Sequence, residues 1–200
     1  MIFDKCDWLV NPYNSINFNN LPHGIIINGP RGVGKKLLAK KISEKIISNF
    51  KESLNNDHQN LFDKNNHPDL YLLDKDKYLL KDIRRQKKDS KNWDEEKGFN
   101  DVVSFLTLTP SISKNKVVCM INADTMNNIA QNALLKSLEE PAPFSYIIMT
   151  TSRSKALNQT IYSRCQVINI PFLSSSKIND WLQDNGINDF SSIDFPSFAT

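Results

Sequence analysis

Residues Gly29–Lys41 read GPRGVGKKLLAKK. The glycines at 29 and 34 and the lysine at 35 fit the spacing GxxxxGK of a phosphate-binding loop. Its members are Gly29, Pro30, Arg31, Gly32, Val33, Gly34, Lys35 and Lys36. In such a loop, glycines let backbone N–H groups turn inward without a side chain blocking a phosphate. The following helix start adds partial positive charge, and the lysine reaches the terminal phosphates. The plain alternative is a tight strand-to-helix turn.

Position 36 departs from the pattern. Hydrolysing loops place Ser or Thr there, and the hydroxyl ligates the Mg²⁺ that bridges the β- and γ-phosphates. The ammonium of Lys36 cannot ligate a cation and repels one. A second position gives the same answer. The apolar run KVVCMI (116–121) should end in an acid that holds Mg²⁺, but Asn122 and Ala123 follow it. Asp124 comes next, past the expected strand end, and reads as a turn or helix-start residue. The loop can therefore bind phosphate through its backbone and Lys35, but its reaction lacks a metal site.

The elements that position these residues are legible. GIIIN (24–28) is a buried strand, and a helix is predicted over about 35–49, with Leu38, Ile42 and Ile46 four apart. Residues 51–68 are polar and Asn-rich, a loop with at most a fragment of helix. DLYLLD (69–74) is a second strand. The mixed charges of 81–100 suit a solvated helix or loop. A short helix from Asp101 should end before Pro110. KVVCMI is the third strand. A helix capped by Asn127 or Asn128, with Ala130, Ala133, Leu134 and Leu138 on one face, should stop at Pro141. SYIIMTT (145–151) is the fourth strand, NQTIYSRC a helical turn, QVINI (166–170) the fifth strand, and 175–186 a capped helix carrying Ile178, Trp181 and Leu182. Near-continuous apolar strands alternating with helices describe an α/β fold with a parallel sheet covered on both faces. The tail from Ile187 reads as the start of a second domain that the chain does not complete.

Composition excludes several classes. The chain of 200 residues is 40% hydrophobic and 24% charged, with a formal charge of +3. That charge is too small to argue for nucleic acid by itself. Cys6, Cys119 and Cys165 are odd in number and widely spaced, so neither a disulfide framework nor a zinc site is expected. No signal-peptide pattern and no membrane-length apolar run is read, so the cytoplasm is expected and a membrane is not.

The blocks NALLKSLEEP (132–141), MTTS (149–152) and SRCQ (163–166), with HGIIINGPRGVGKK and HPDL (67–70), strongly resemble bacterial clamp-loader subunits over most of 20–175. The resemblance implies an AAA+ phosphate-loop domain with a five-stranded parallel sheet over 1–171, followed by the beginning of a small helical lid domain over 172–200. It implies a place in the DNA polymerase III holoenzyme, the DNA-directed polymerase complex of replication. The partners implied are the gamma/tau and delta subunits and, through the complex, the sliding clamp and primer-template DNA. The lost Mg²⁺ ligands point to the stator branch of the family, with no ATPase activity of its own. No cofactor is then required, and at most ATP or ADP binds weakly without Mg²⁺. The family's Ser-Arg-Cys motif reaches the ATP site of a neighbouring subunit. That role transfers to Ser163, Arg164 and Cys165, with Arg164 as an arginine finger in trans. From the residues alone Arg164 reads as a helix-end arginine satisfying carbonyls. Thr150 or Thr151 falls at the family's sensor position.

This sequence departs from the family pattern in three places. A four-cysteine zinc module is common between the loop helix and HPDL, but 41–66 contains no cysteine, and His58 and His67 alone make no tetrahedral site. No metal is expected. The charged stretch 81–98 is longer than the pattern leads one to expect. The collar-forming C-terminal domain is not found in this chain. The rival readings are an active motor ATPase of the gamma/tau type, an unrelated phosphate-loop kinase, and a direct DNA-binding module. The first needs metal ligands at 36 and after Ile121. The second leaves NALLKSLEEP and SRC unexplained. The third would show steep salt dependence.

Overall fold

The computed structural model describes residues 3–49, 56–84 and 101–184. Five parallel strands form one sheet: β1 (Gly24–Asn28), β2 (Leu70–Asp74), β3 (Lys116–Ile121), β4 (Ser145–Thr151) and β5 (Cys165–Asn169). Their order is β2-β3-β4-β1-β5, so β4 is the central strand, β1 lies between β4 and β5, and β2 and β5 are the edges. The register pairs Gly24 with Ile147 and Cys165, and Asn28 with Thr151 and Asn169.

Alternate strand residues feed two cores, as the two-residue period of a strand requires. Ile25, Ile27, Cys119 and Ile148 pack on one face with Leu38, Ile42 and Ile46 of α2 (Lys35–Ile47). Ile26, Val118, Met120 and Met149 pack on the other with Ala130, Leu134 and Leu138 of α6 (Asn128–Glu139). Coverage of both faces explains why every residue of β3 is buried and why its sequence is apolar from Val117 to Ile121, after the buried Lys116 that opens it.

Caps fix the helix starts. The Asn127 side chain accepts from Ala130 N–H at 2.8 Å and starts α6. Asp101 caps α5 (Val102–Thr107) by accepting from the backbone N–H and the hydroxyl of Ser104.

The structure corrects some of the sequence-based expectations. The Asn-rich region holds α3 (Asn56–Asp63), two full turns rather than a fragment. The charged stretch opens with α4 (Leu80–Ile83), where Ile83 is fully buried and Asp82 nearly so. Asp82 is held there because its carboxylate accepts from the Lys75 ammonium at 2.6 Å and from Leu79 N–H at 2.8 Å. The rest of that stretch, 85–98, lies outside the described residues. The N-terminal helix α1 (Asp7–Asn14) was not read from the sequence. Its partner in space is α8 (Ser175–Asp184): Trp8 and Trp181 meet edge to face at 5.7 Å, and Trp181 Nε1 donates to Lys5 O. The tail from 187 lies outside the described residues.

Candidate functional site

The loop 29–34 leaves the carboxyl end of β1, an interior strand, and opens α2. Gly34 has φ +94°, and a Cβ there would stand 2.9 Å from Leu9 Cδ1, so both backbone and space demand glycine. Gly29 is needed for a different reason than phosphate access. A Cβ at Gly29 would meet Ile170, at 3.0 Å from its Cβ and 3.1 Å from its carbonyl, in the segment leaving β5. The loop is held from below by α1, since Trp8 Nε1 donates to Val33 O at 3.1 Å.

Lys35 is buried, and its ammonium donates to Gly29 O at 2.8 Å and Pro30 O at 2.5 Å. Burial pulls its pKa down to about 8, with Asp124 opposing the shift and Arg31 adding to it. Arg31, Gly32, Lys35, Lys36, Asn122, Asp124 and Thr150 line a cleft of about 490 Å³. The Thr150 hydroxyl accepts from Asn122 N–H at 2.9 Å, whereas Thr151 donates to Asn28 Oδ1. Of the two sensor candidates, Thr150 is the one that reaches the cleft.

The residues do not fit the Mg²⁺ site of a hydrolysing loop. Lys36 Nζ is paired with Asp74 Oδ2 at 2.5 Å, where β2 ends beside the loop. Asn122 adopts φ 57°, ψ 45°, a left-handed conformation that Asn tolerates well, and offers an amide rather than a carboxylate. Asp124 requires a correction. It does sit in a turn, the 3₁₀ turn Ala123–Thr125, but it is buried and lines the cleft, so an acid is present after all. One oxygen of that acid is engaged: Arg153 Nε donates to Asp124 Oδ2 at 3.0 Å, and a terminal nitrogen of Arg153 donates to the Asp124 carbonyl, while Oδ1 is buried with no hydrogen-bond partner among the described residues. Sequence reasoning missed Asp74 and Arg153. The ends of β2 and β3 were the available signal for Asp74, because parallel strands deliver their carboxyl ends to one edge. Nothing local in the sequence marks Arg153.

Ser163, Arg164 and Cys165 gather elsewhere. They join α7 (Gln159–Tyr162) to β5, at the amino end of the sheet. Arg164 stands beside the start of β1, whereas the loop begins beyond its end, roughly 16 Å away at the rise of a strand. Arg164 Nη1 donates to Thr160 O at 2.9 Å and to Ser163 Oγ at 3.2 Å, and Nη2 pairs with Glu139 Oε1 at 2.8 Å. Cys165 turns inward. Its thiol lies where a Cβ on Gly24 would come within 2.6 Å, and burial pushes its pKa up to about 12, so it is a packed thiol rather than a nucleophile.

His58 and His67 meet edge to face at 5.3 Å, and the buried His67 accepts from Asp69 N–H through Nδ1. Among the described residues no three His, Cys, Asp or Glu side chains gather as a metal site, and no helix is long and apolar enough to cross a membrane.

Comparison with known proteins bears on the family and the fold. A family model described as DNA polymerase III, delta subunit, matches residues 10–174. DNA polymerase III subunit delta' of Haemophilus influenzae is 30% identical over 164 residues, which are 80% of this chain and 46% of that protein. The Bacillus subtilis delta' subunit is 28% identical over 88% of this chain and 50% of its own length. A gamma/tau subunit of Mycoplasma genitalium is 32% identical over 86% of this chain and 27% of its own. The chain thus spans about half the length of the delta' relatives it matches. Among solved structures, a gamma subunit-related protein of Thermotoga maritima superposes with a TM-score of 0.55 at 19% identity, covering 92% of this chain and 53% of that one, which shows the fold.

Proposed function

The chain belongs to the DNA polymerase III delta' family of AAA+ clamp-loader subunits, and from that premise we propose that it is a non-hydrolysing stator. In this reading it helps load the sliding clamp onto primed DNA, with gamma/tau and delta subunits as neighbours. It lends Arg164 to the ATP site of an adjacent motor subunit. Its own cleft requires neither nucleotide nor Mg²⁺. We read 1–171 as the AAA+ domain and 172–200 as the opening of the lid.

The observation that carries the proposal is the separation of Arg164 from its own loop by the length of the sheet. A side chain at the amino end cannot serve a phosphate at the carboxyl end, so a phosphate it meets belongs to another chain. There its planar guanidinium would offer two donors to oxygens on which charge grows during phosphoryl transfer. Ser163 supports this by accepting from Arg164 Nη1, and Cys165 by anchoring the start of β5.

The test is DNA- and clamp-stimulated ATP hydrolysis by a reconstituted complex with Arg, Ala or Lys at 164. Arg164→Ala should lower turnover without loss of assembly, and Arg164→Lys should recover it incompletely. A trans arginine is worth about 10³–10⁵ at its own site, but total turnover falls far less because other motor sites keep theirs. Equal rates for all three would refute the finger.

A second reading, an active motor, draws on the gamma/tau relative and on the carboxylate of Asp124 in the cleft. Against it stand the ammonium of Lys36 where a metal-ligating hydroxyl belongs and the Arg153 guanidinium on Oδ2 of Asp124. Mg²⁺-dependent turnover by this chain alone, near 1 s⁻¹, would favour the motor.

A further inference from the structure

We propose that Glu139 is a positioning residue for Arg164, an inference that rests on the finger reading above. Glu139 is the last residue of α6, and Arg164 lies between α7 and β5. The guanidinium spans the two helix ends: Nη2 donates to Glu139 Oε1 at 2.8 Å, and Nη1 donates to the Thr160 carbonyl at 2.9 Å. These contacts fix the plane of a side chain that would otherwise sample many rotamers.

Helix stability does not explain an acid at this place. The carboxyl end of a helix carries partial negative charge, so a glutamate there is disfavoured. Here two glutamates, Glu139 and Glu140, stand in succession at that end. Arg164 offsets both the dipole and the carboxylate of Glu139.

Nor is the pair a strong bond in its own right. Both side chains are partly exposed, 35% for Arg164 and 46% for Glu139, and solvent-screened pairs of that kind contribute little to stability. Such a contact orients without trapping. A phosphate, which binds guanidinium through charge-assisted paired hydrogen bonds, can take the place of either donor contact. Glu139 therefore holds the guanidinium ready at the surface, so that less freedom is lost when the neighbour's nucleotide arrives. Geometry rather than charge is what it supplies, so an uncharged acceptor of the same length should serve.

The experiment is a double-mutant cycle in the reconstituted complex, read as DNA- and clamp-stimulated ATP hydrolysis, with assembly checked by gel filtration. Glu139→Ala should reproduce at least half of the loss caused by Arg164→Ala. Glu139→Gln, which keeps an acceptor oxygen, should recover most of the rate. The double variant Glu139→Ala/Arg164→Ala should be no slower than Arg164→Ala alone, because Glu139 acts only through Arg164. A purely structural role would add to the loss instead. If Arg164→Ala lowers turnover while Glu139→Ala leaves it at the wild-type rate, the positioning role is overturned and the finger stands. Additive losses, or a Gln variant as slow as Ala, overturn it equally. If Arg164→Ala itself changes nothing, the finger reading falls.

Discussion

Lys36 decides more about the cleft than the glycines that surround it. Its ammonium replaces a metal-ligating hydroxyl and forms an ion pair with Asp74 across the cleft mouth. Replacing it with Thr restores the hydroxyl and releases Asp74, but leaves the amide of Asn122 and the Arg153-bound carboxylate of Asp124 in place. Lys36→Thr alone is therefore expected to give no Mg²⁺-dependent ATP turnover above the parent chain, measured by phosphate release. Appreciable turnover would mean that Asp124 leaves Arg153 readily and that the site is closer to competence than its geometry suggests. Lys35 is a different case. Its bonds to Gly29 and Pro30 satisfy two loop carbonyls, so the lysine of the motif also serves the loop's own fold.

Among the elements, the junction of β1 and β5 is the most tightly constrained. Gly24 opens β1 against Cys165, and a methyl group there would come within 2.6 Å of Cys165 Sγ and 2.9 Å of Leu138 Cδ2. Gly24→Ala should therefore destabilise the chain by about 1–3 kcal/mol, the usual cost of overpacking. Adding Cys165→Ala removes the closer obstacle and should return part of that loss, although Leu138 still crowds the site. Urea unfolding of the two single variants and the double variant tests this. Losses that simply add would show that the thiol is not what excludes a side chain at 24. The same junction carries Arg164, so the packing of Cys165 helps determine where the preceding arginine emerges.

For the whole molecule, two buried lysines at opposite ends of the sheet tie stability to pH. Burial lowers the pKa of Lys35 to about 8 beside the loop, and does the same for Lys116 at the start of β3, with Asp124 and Asp69 respectively opposing it. An unfolded lysine titrates near 10.5, so between about pH 8 and 10.5 the unfolded chain binds more protons than the folded one. Stability from this source then rises with pH. From about pH 9 the trend is opposed by Cys119 and Cys165, whose burial pushes their pKa up to about 12, and above pH 10 also by Tyr78, whose buried hydroxyl lies within hydrogen-bond reach of Leu73 O and Ile121 O and titrates well above an unfolded tyrosine. The urea midpoint should therefore rise from pH 8 to pH 9, and Lys116→Met should flatten that rise. A midpoint that is level in the parent chain would show that these ammonium groups are better solvated than their burial implies.

The strands, their parallel direction, a cap for α6 at Asn127 or Asn128 and the degenerate loop followed from the sequence. They depend on neighbours a few residues apart: an apolar run bounded by Pro22 and Gly29, an Asn before a helical period, a Lys where a hydroxyl belongs. The family resemblance of NALLKSLEEP and SRCQ was likewise a matter of contiguous residues. What the sequence left open involves residues far apart along the chain. Asp74 meets Lys36, Arg153 meets Asp124, Glu139 meets Arg164 and Trp8 meets Val33 only after parallel strands bring their ends to common edges. Asp124 was misjudged for the same reason: counting along β3 places it past the strand, while the turn that follows folds its carboxylate back into the cleft. The sequence identified the loop and the arginine. The tertiary structure decided that they lie at opposite ends of one sheet, because every strand runs the same way and the two sites sit at different strand ends.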